Sequence, residues 1–165
     1  MGRSVYVLDA NVFIEAARRY YAFDLHTPFW DILSKHAEDG VIECIDRVRD
    51  ELDKEKDELA KWAHGSFSHA FRSTDQEDVI KSYAKVMIWV QGQSQYTDAA
   101  KTDFAGGADG WLVAYAMAEG RVVVTHEVVA PKARRKVPIP NVCEQLQVRY
   151  VDTFLMLREL AVRFT

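Results

Sequence analysis

The chain has 165 residues, of which 48% are hydrophobic and 28% charged, and its formal net charge is -4. This length and composition suit one globular domain with room for a core, so we expect a single domain over residues 1–165. No apolar run approaches the roughly 20 residues of a membrane span, and the N-terminus has no long apolar signal stretch, which argues against a membrane protein and predicts a cytoplasmic one.

Buried strands alternate with amphipathic helices along the chain. Short apolar runs predict strands at residues 5–8, 41–45, 122–124 and 148–151. Apolar residues at helical spacing, with capping residues at the ends, predict helices at residues 11–19, 27–39, 46–62, 75–90, 97–104, 109–119 and 153–164. Strands separated by helices predict an α/β fold, with a central parallel sheet of about four strands covered by helices on both faces.

Net charge and cysteine content say little about the function of the chain. The negative net charge does not indicate a nucleic-acid binder, but a carboxylate cluster neutralised by divalent ions would also count here as bare negative charge. The two cysteines, Cys44 and Cys143, have no CxxC spacing and are predicted to be reduced and packed. Neither property decides the function.

Two of the predicted strands end in or near an acidic residue. Asp9 directly follows the apolar run 5–8, and Glu127 closes the segment 122–127. In open α/β sheets, ligands bind outside the carboxyl ends of the strands, so both acids are predicted to line one crevice. Asp109, at the start of a strongly apolar helix, is a third candidate.

Each acid also has a structural interpretation. Asp9 and Asp109 both stand where a helix N-cap belongs, and capping is the commoner use of an aspartate at such a turn. The predicted helix at 46–62 carries many acidic residues, and a run of charges usually forms a solvated face. Spacing alone therefore singles out no ligand on that helix. Asp103 is interpreted as a surface residue near the rim.

Four segments together resemble the successive acidic motifs of PIN-domain nucleases. They are residues 8–16 (LDANVFIEA), 48–52 (VRDEL), 108–116 (ADGWLVAYA) and 123–127 (VVTHE), in the order and at the approximate spacing of that superfamily. The tract 136–143 (KVPIPNVC) resembles a PIN-like bacterial family without an assigned function. The resemblance spans nearly the whole chain. It implies a PIN-like three-layer fold and metal-dependent cleavage of RNA, most often by the toxin of a VapC-type toxin–antitoxin pair.

The resemblance also implies a set of catalytic residues that ligate the metal: Asp9, Glu51, Asp109 and Glu127. It selects Glu51 on the charged helix, and the position of Glu51 three residues after Val48, near the apolar stripe, is consistent with that choice. Asp50 is the alternative ligand. The last motif more commonly ends in Asp, and the longer side chain of Glu127 leaves open whether it ligates directly or through water.

Converging carboxylates suit Mg²⁺ or Mn²⁺, which are hard cations that prefer oxygen ligands. One or two such ions would activate a water and stabilise the charge that develops on a phosphodiester, so no side-chain nucleophile is required. Asn11 and Thr125 are interpreted as neighbours whose hydrogen bonds orient ligands or water. Mutual repulsion is expected to raise the pKa of some of the carboxyl groups when no ion is bound.

Two segments are candidates for substrate contacts. A basic stretch directly after the Glu127 motif is expected to meet RNA phosphates near the crevice, and it comprises Lys132, Arg134, Arg135 and Lys136. A solvated loop explains that stretch equally well.

Residues 18–21 combine two arginines with two tyrosines, as proteins that bind single-stranded nucleic acid do. Buried packing explains the tyrosines about as well. Alternation along a strand turns His126 away from Glu127, so His126 is left out of the catalytic set.

The toxin interpretation predicts RNA as substrate and a small antitoxin that covers the crevice, and it allows a homodimer. Two alternatives stay open. A PIN-like scaffold with a weakened metal site would bind RNA or a protein without cleaving it. A DNA nuclease would use the same hydrolytic centre, because that centre does not itself read the 2′-hydroxyl.

Overall fold

The computed structural model describes residues 3–55 and 57–164. The strands are Tyr6–Leu8 (β1), Ile42–Ile45 (β2), Phe71–Arg72 (β3), Val122–Val124 (β4) and Tyr150–Val151 (β5). The α-helices are Ala10–Glu15 (α1), Thr27–Glu38 (α2), Asp46–Asp53 (α3), Glu58–His64 (α4), Glu77–Gln91 (α5), Asp98–Gly106 (α6), Asp109–Glu119 (α7), Ile139–Gln145 (α8) and Thr153–Glu159 (α9). A π-helical segment, Ala16–Tyr20, continues α1, and a 3-10 turn, Ser68–Ala70, precedes β3.

The strands form one parallel five-stranded sheet in the order β3-β2-β1-β4-β5. Val7 of β1 lies between Glu43 of β2 and Val123 of β4. In chain order, β2 and β3 are added on one side of β1, and the chain then crosses back and adds β4 and β5 on the other side. The direction in which strands are added therefore reverses between β1 and β4, although all strands stay parallel. Such a switch point opens a crevice at the carboxyl ends of the strands.

The predicted α/β architecture, with helices on both faces of a parallel sheet, is confirmed. Residues on β1, β2 and β4 are almost fully buried, because helices cover both faces of the sheet, and this explains their continuous apolar runs. Cys44 and Cys143 are buried free thiols, as predicted. Within the described residues, no helix has the length and apolarity needed to cross a membrane.

Helix α7 packs against β1, β4 and α5 and carries the third acidic motif. Gly110 allows close packing here, since an added Cβ would lie 3.1 Å from both Phe104 and Tyr83. The helix ends at Gly120, whose φ of 69° is readily adopted only by glycine. The chain then enters β4, so α7 runs back across the sheet and begins at its carboxyl edge.

The predicted helix at 46–62 is wrong as one continuous element. It is divided into α3 and α4, because the Asp57 carboxylate accepts a hydrogen bond of 3.0 Å from the Leu59 N–H and starts a new helix. Lys56, which falls within the predicted helix, lies outside the described residues. The break leaves α3 as a short helix that directly follows β2.

Other boundaries also differ from the sequence prediction. Strand β3 adds a fifth, two-residue strand at the edge of the sheet, and α8 begins directly after Pro138. The N-cap of α2 is His26, whose Nδ1 accepts the Phe29 N–H, and Thr27 is the first helical residue. Helix α9 ends at Glu159, shortly before the chain adopts a positive φ.

Glu43 links the edge of the sheet to α7. Its side chain is buried, and its Oε1 accepts hydrogen bonds from the Tyr115 hydroxyl at 2.9 Å and from Arg121 Nε at 2.8 Å. Its Oε2 lies 3.3 Å from Arg72 Nε on β3. Burial raises the pKa of Tyr115, and the Glu43 carboxylate adds to that rise. One carboxylate therefore joins β2 to β3, α7 and the start of β4.

Removing the Glu43 carboxylate should destabilise the fold. In Glu43→Ala, the partly buried Arg121 and the Tyr115 hydroxyl lose their partner, and we expect the free energy of unfolding to fall by about 2 kcal/mol. Glu43→Gln keeps a hydrogen-bond acceptor and should lose less. Urea denaturation measures both. The control is Glu77→Ala, which breaks an exposed pair with Lys81 and should change stability by less than about 0.5 kcal/mol. Equal effects at Glu43 and Glu77 would contradict this role of Glu43.

Candidate metal centre

The four predicted ligands come from elements that meet at the carboxyl edge of the sheet. Asp9 directly follows β1, and Glu127 follows β4 after two intervening residues. Asp109 is the first residue of α7, which begins at this edge. Glu51 lies on α3, the helix that leaves β2. Asp9 and Glu127 therefore flank the switch point between β1 and β4, where α/β sheets bind ligands.

Asp9 is held in place by β4. Its side chain is only 3% exposed, and its Oδ2 accepts a hydrogen bond of 3.0 Å from the Thr125 hydroxyl. Its own N–H donates to the Val124 carbonyl at 2.9 Å. Asp9 stands at the N-cap position of α1, where its carboxyl group lies near the Asn11 N–H without a full capping hydrogen bond. Its hydrogen bond to Thr125 ties it to the end of β4 instead, so capping of α1 alone does not explain the aspartate at this position.

Burial and like charge act together on the two aspartates. Burial, together with the negative charges of Asp9, Glu127 and Glu51, raises the pKa of Asp109 to about 8, while Lys136 opposes the rise. Burial, together with the charges of Glu127 and Glu51, raises the pKa of Asp9 to about 6, against the hydrogen bonds from Thr125 and Asn11. Asp109 thus feels the three other acids of the set, which shows that the chain brings all four into electrostatic reach.

Asp109 does not cap α7, because the N-cap position belongs to Ala108. The Ala108 N–H instead donates to Glu51 Oε1 at 3.3 Å, which ties α3 to the start of α7. Glu51 therefore lies near the positive end of the α7 dipole, where a carboxylate is stabilised. This contact also distinguishes Glu51 from the exposed Asp50 on the same helix.

Glu127 has protein partners on both of its oxygens. Oε1 accepts a hydrogen bond of 3.0 Å from the Ile139 N–H, and Oε2 lies 3.3 Å from Lys136 Nζ. The Glu127 N–H donates to the Thr125 hydroxyl at 3.1 Å, so one threonine contacts both Asp9 and Glu127. Thr125 is itself buried at the end of β4.

The chemistry of this donor set fits a hard divalent cation, since carboxylate oxygens are the ligands that Mg²⁺ and Mn²⁺ prefer. Over residues 3–55 and 57–164, however, no three Asp, Glu, His or Cys side chains are already arranged to hold an ion. Glu51 and Glu127 are instead turned to the N–H groups of Ala108 and Ile139. An ion held by the full set would require each glutamate to present an oxygen to it, and a ligating carboxylate can keep a hydrogen bond of this kind.

The remaining predicted neighbours are placed as follows. Asn11 is exposed, and its backbone N–H lies close enough to the Asp9 carboxyl to offset part of the rise in the pKa of Asp9. Any influence of Asn11 on Asp9 therefore comes through the backbone, not through the side-chain amide. Asp103 is exposed, as predicted, and it lines a cleft beside Asp109.

The basic stretch divides into two parts. Arg135 and Lys136 line the cleft of about 100 Å³ that Asp109 and Phe104 also border. Lys132 and Arg134 are exposed earlier in the same loop and do not line that cleft. The structure thus brings two of the four predicted basic residues to the acidic centre.

Amide side chains that sequence reasoning missed hold this loop. The buried Asn141 bonds both the N–H and the carbonyl of Ala130 at 2.8 Å, and it also donates to the Tyr96 hydroxyl. Gln95 donates to the carbonyls of Pro131 and Ala133. Asn141 lies in the 136–143 tract, so that tract carried a signal for it, whereas nothing in the sequence indicated Gln95. Both residues fix the backbone that presents Arg135 and Lys136.

Comparisons with known proteins agree with this architecture. The profile of a family described as "Domain of unknown function (DUF4411)" matches residues 6–164. Among solved structures, VapBC2 from Rickettsia felis, bound to a DNA fragment from its promoter, is 13% identical with a TM-score of 0.53, covering 90% of this chain and 98% of that one. FitAcB from Neisseria gonorrhoeae is 18% identical with a TM-score of 0.53, covering 88% and 96%. A comparison with curated proteins found no match. The shared fold is PIN-like, as the sequence resemblance implied.

The raised pKa values predict that the metal-free protein loses stability as pH rises. Asp109 and Asp9 titrate near about 4 in an unfolded chain, whereas their folded pKa values are about 8 and about 6. Between these limits the folded protein binds more protons than the unfolded one, so the free energy of unfolding falls with increasing pH. In EDTA, we expect a fall of several kcal/mol from roughly pH 5 to pH 8.5, measured by urea denaturation.

Asp109→Asn should flatten this dependence, because asparagine has no proton to lose and no charge to repel Asp9. Asp31→Asn, at an exposed position on α2, is the matched control and should keep the wild-type slope. Identical slopes in the wild type and in Asp109→Asn would show that Asp109 does not titrate as described.

Proposed function

We propose that this chain, which belongs to the DUF4411 family, is a Mg²⁺- or Mn²⁺-dependent endoribonuclease that hydrolyses phosphodiester bonds of single-stranded or structured RNA. It acts as the toxin of a toxin–antitoxin pair. The proposed ligands of one or two ions are Asp9, Glu51, Asp109 and Glu127. Thr125 orients two of these ligands through its hydroxyl, and Asn11 contributes its backbone N–H.

The observation that carries this proposal is the position of Asp9. It lies buried at the carboxyl end of the central strand, bonded to Thr125, within electrostatic reach of Glu51 and Glu127. A buried carboxyl group with a raised pKa and further acids around it is costly to maintain for structure alone. A divalent cation turns the same repulsion into a binding site.

The side chains divide the chemical work. When bound, a divalent cation lowers the pKa of a water molecule and offsets the negative charge that develops on the phosphate. Asp109 must give up its proton to act as a ligand, and Lys136, which opposes the rise in its pKa, favours that loss. Thr125 keeps Asp9 oriented throughout, because its hydroxyl is buried and already bonded.

Substrate phosphate is proposed to enter the cleft beside Asp109. Arg135 and Lys136 border this cleft and are exposed on their outer side, so they can meet phosphate oxygens as charge-assisted donors. Lys136 is also paired with Glu127, and binding of a cation by Glu127 would release the ammonium group toward the phosphate. Lys132 and Arg134 would contact the backbone farther along the RNA.

An antitoxin is the proposed partner. A nuclease that acts on cellular RNA must be restrained, and the simplest restraint is a protein that covers the crevice. VapBC2, which shares this fold, is bound to a fragment of promoter DNA in its crystal structure. An antitoxin with a DNA-binding module would bring the present chain to DNA in the same way. A homodimer is compatible with this arrangement.

Metal-dependent cleavage tests the proposal. Purified protein should cut mixed-sequence single-stranded RNA with Mn²⁺ or Mg²⁺ and not with EDTA. Asp9→Asn and Asp109→Asn keep side-chain shape but remove a ligand charge. Loss of a residue that only hydrogen-bonds a metal ligand costs up to about 100-fold in activity, so loss of a ligand itself should lower cleavage by more than about 100-fold. Circular dichroism and thermal melting would check that both variants remain folded.

The control is Asp31→Asn, which removes an exposed acid from α2 and should leave cleavage unchanged. Cleavage of DNA oligonucleotides in preference to RNA would indicate a DNA nuclease instead of a ribonuclease. A folded wild-type protein that neither cuts nucleic acid nor binds Mn²⁺ would indicate a PIN-like binding scaffold.

A further inference from the structure

Three rings from distant parts of the chain form a cluster at the edge of the acidic centre. The ring centroids of Tyr20 and Phe154 are 5.9 Å apart, those of His126 and Phe154 are 6.0 Å apart, and those of Tyr20 and His126 are 6.5 Å apart. Their planes are tilted or perpendicular to one another, as aromatic rings in favourable contact are. We call Tyr20, His126 and Phe154 the aromatic platform.

The platform is exposed yet fixed. Tyr20 is 54% exposed and Phe154 is 37% exposed, which is unusual for large rings in a chain that buries most of its apolar residues. The His126 ring is held by a hydrogen bond of 2.9 Å between its Nε2 and the hydroxyl of the buried Thr153. Phe154 follows Thr153 at the start of α9. The rings therefore present a preorganised apolar surface to solvent.

Tyr20 reaches the platform through an irregular helix. The segment Ala16–Tyr20 is π-helical, and it closes with a hydrogen bond of 2.8 Å from the Tyr21 N–H to the Ala16 carbonyl. Short π-helical segments are rare and occur often at functional sites. The next residue, Tyr21, instead stacks on the buried ring of Phe29 at 4.3 Å. Of the two adjacent tyrosines, Tyr21 thus packs against the core and Tyr20 is the more exposed.

The platform adjoins the proposed metal ligands along two strands. His126 lies between Thr125, which bonds Asp9, and Glu127. Thr153 and Phe154 follow β5, the neighbour of β4, and Tyr20 follows the helix that begins after Asp9. All three rings therefore stand at the carboxyl edge of the sheet, on the side of the centre formed by β4 and β5.

Cations accompany these rings. Arg18 and Arg19 lie on the same π-helical segment as Tyr20. Their ion pairs with Glu55 and Glu15 leave the guanidinium side chains 65% and 69% exposed. Exposed pairs of this kind contribute little stability, so both arginines can turn to a phosphate at small cost. Exposed rings and exposed cations on one segment form the combination that binds unpaired nucleotides.

We infer that the aromatic platform is a subsite for unpaired nucleobases of single-stranded RNA, on the β5 side of the scissile phosphate. A base stacks on the exposed Tyr20 and Phe154 rings while Arg18 or Arg19 contacts a flanking phosphate. Paired bases in a duplex cannot offer their faces to such rings, so the subsite selects single-stranded segments. This inference rests on the nuclease function proposed above and names the form of RNA that the centre takes.

Binding measurements with the full chain test the platform. Fluorescence anisotropy would follow a mixed-sequence, labelled single-stranded RNA and its duplex in an Asp9→Asn background, where RNA should stay intact. Tyr20→Ala and Phe154→Ala should each weaken binding of the single strand by about 5-fold or more, the lower end of the effect of one stacked base. Tyr20→Phe keeps the ring and should bind as the parent does. Duplex affinity should be unaffected by all three changes.

Salt dependence separates stacking from charge. Because stacking releases no counterions, Tyr20→Ala should lower affinity without changing the slope of log affinity against log salt, whereas Arg19→Ala should make that slope shallower. Ile88→Ala, which removes an exposed apolar side chain from α5, is the matched control and should change neither quantity. If Tyr20→Ala lowers thermal stability, Tyr20→Leu retains apolar volume without a ring and should still weaken binding.

Unchanged affinity for single-stranded RNA in both Tyr20→Ala and Phe154→Ala would overturn the inference and assign this surface to a protein partner. Failure of the proposed function looks different. In that case, the wild-type protein would cut no RNA with any divalent cation, whatever the state of the platform. A wild type that cleaves RNA, together with platform variants that bind it normally, would leave the nuclease in place and remove only this subsite.

Discussion

Four acidic side chains meet at the carboxyl edge of the sheet, and their burial together with their mutual repulsion is the constraint that shapes this centre. The sheet order places Asp9 and Glu127 on either side of the switch point, and α3 and α7 bring Glu51 and Asp109 to the same edge. Burial and mutual repulsion raise the pKa of Asp109 to about 8, so without a cation this acid remains largely protonated at neutral pH. A divalent ion would offset the repulsion, which favours the binding of such an ion at this place.

The two kinds of acid are held differently. Asp9 is fixed by its position at the end of β1 and by Thr125, and Asp109 by its position at the start of α7. Glu51 and Glu127 have longer side chains: Glu51 accepts one backbone N–H, and Glu127 accepts another and also pairs with Lys136. Asp9 is therefore fixed by a side-chain hydrogen bond in a buried position, while the longer glutamates reach the same edge from a helix and from a loop.

Local patterns predicted most of the fold and part of the site. Asp9 could be predicted because a buried strand that ends abruptly in an acid carries that acid to the carboxyl edge of the sheet. Glu51, in contrast, could not be distinguished from its acidic neighbours on α3 without the family resemblance. Strand β3 escaped prediction because two residues show no periodicity. The break between α3 and α4 depends on the capping hydrogen bond of Asp57. Asp57 is one of many charged residues in this segment, so its capping role could not be recognised from the sequence. The aromatic platform joins residues that are far apart in the chain, and only the folded structure brings them together.

The central claim is that these carboxylates bind a divalent cation, and a Mn²⁺ titration followed by electron paramagnetic resonance tests it most directly. We expect saturable binding of about one or two Mn²⁺ ions per chain, competed by Mg²⁺ and weakened at least about 10-fold in Asp109→Asn. Binding that never saturates, or that has the same affinity in Asp109→Asn as in the wild type, would contradict the assignment of this centre.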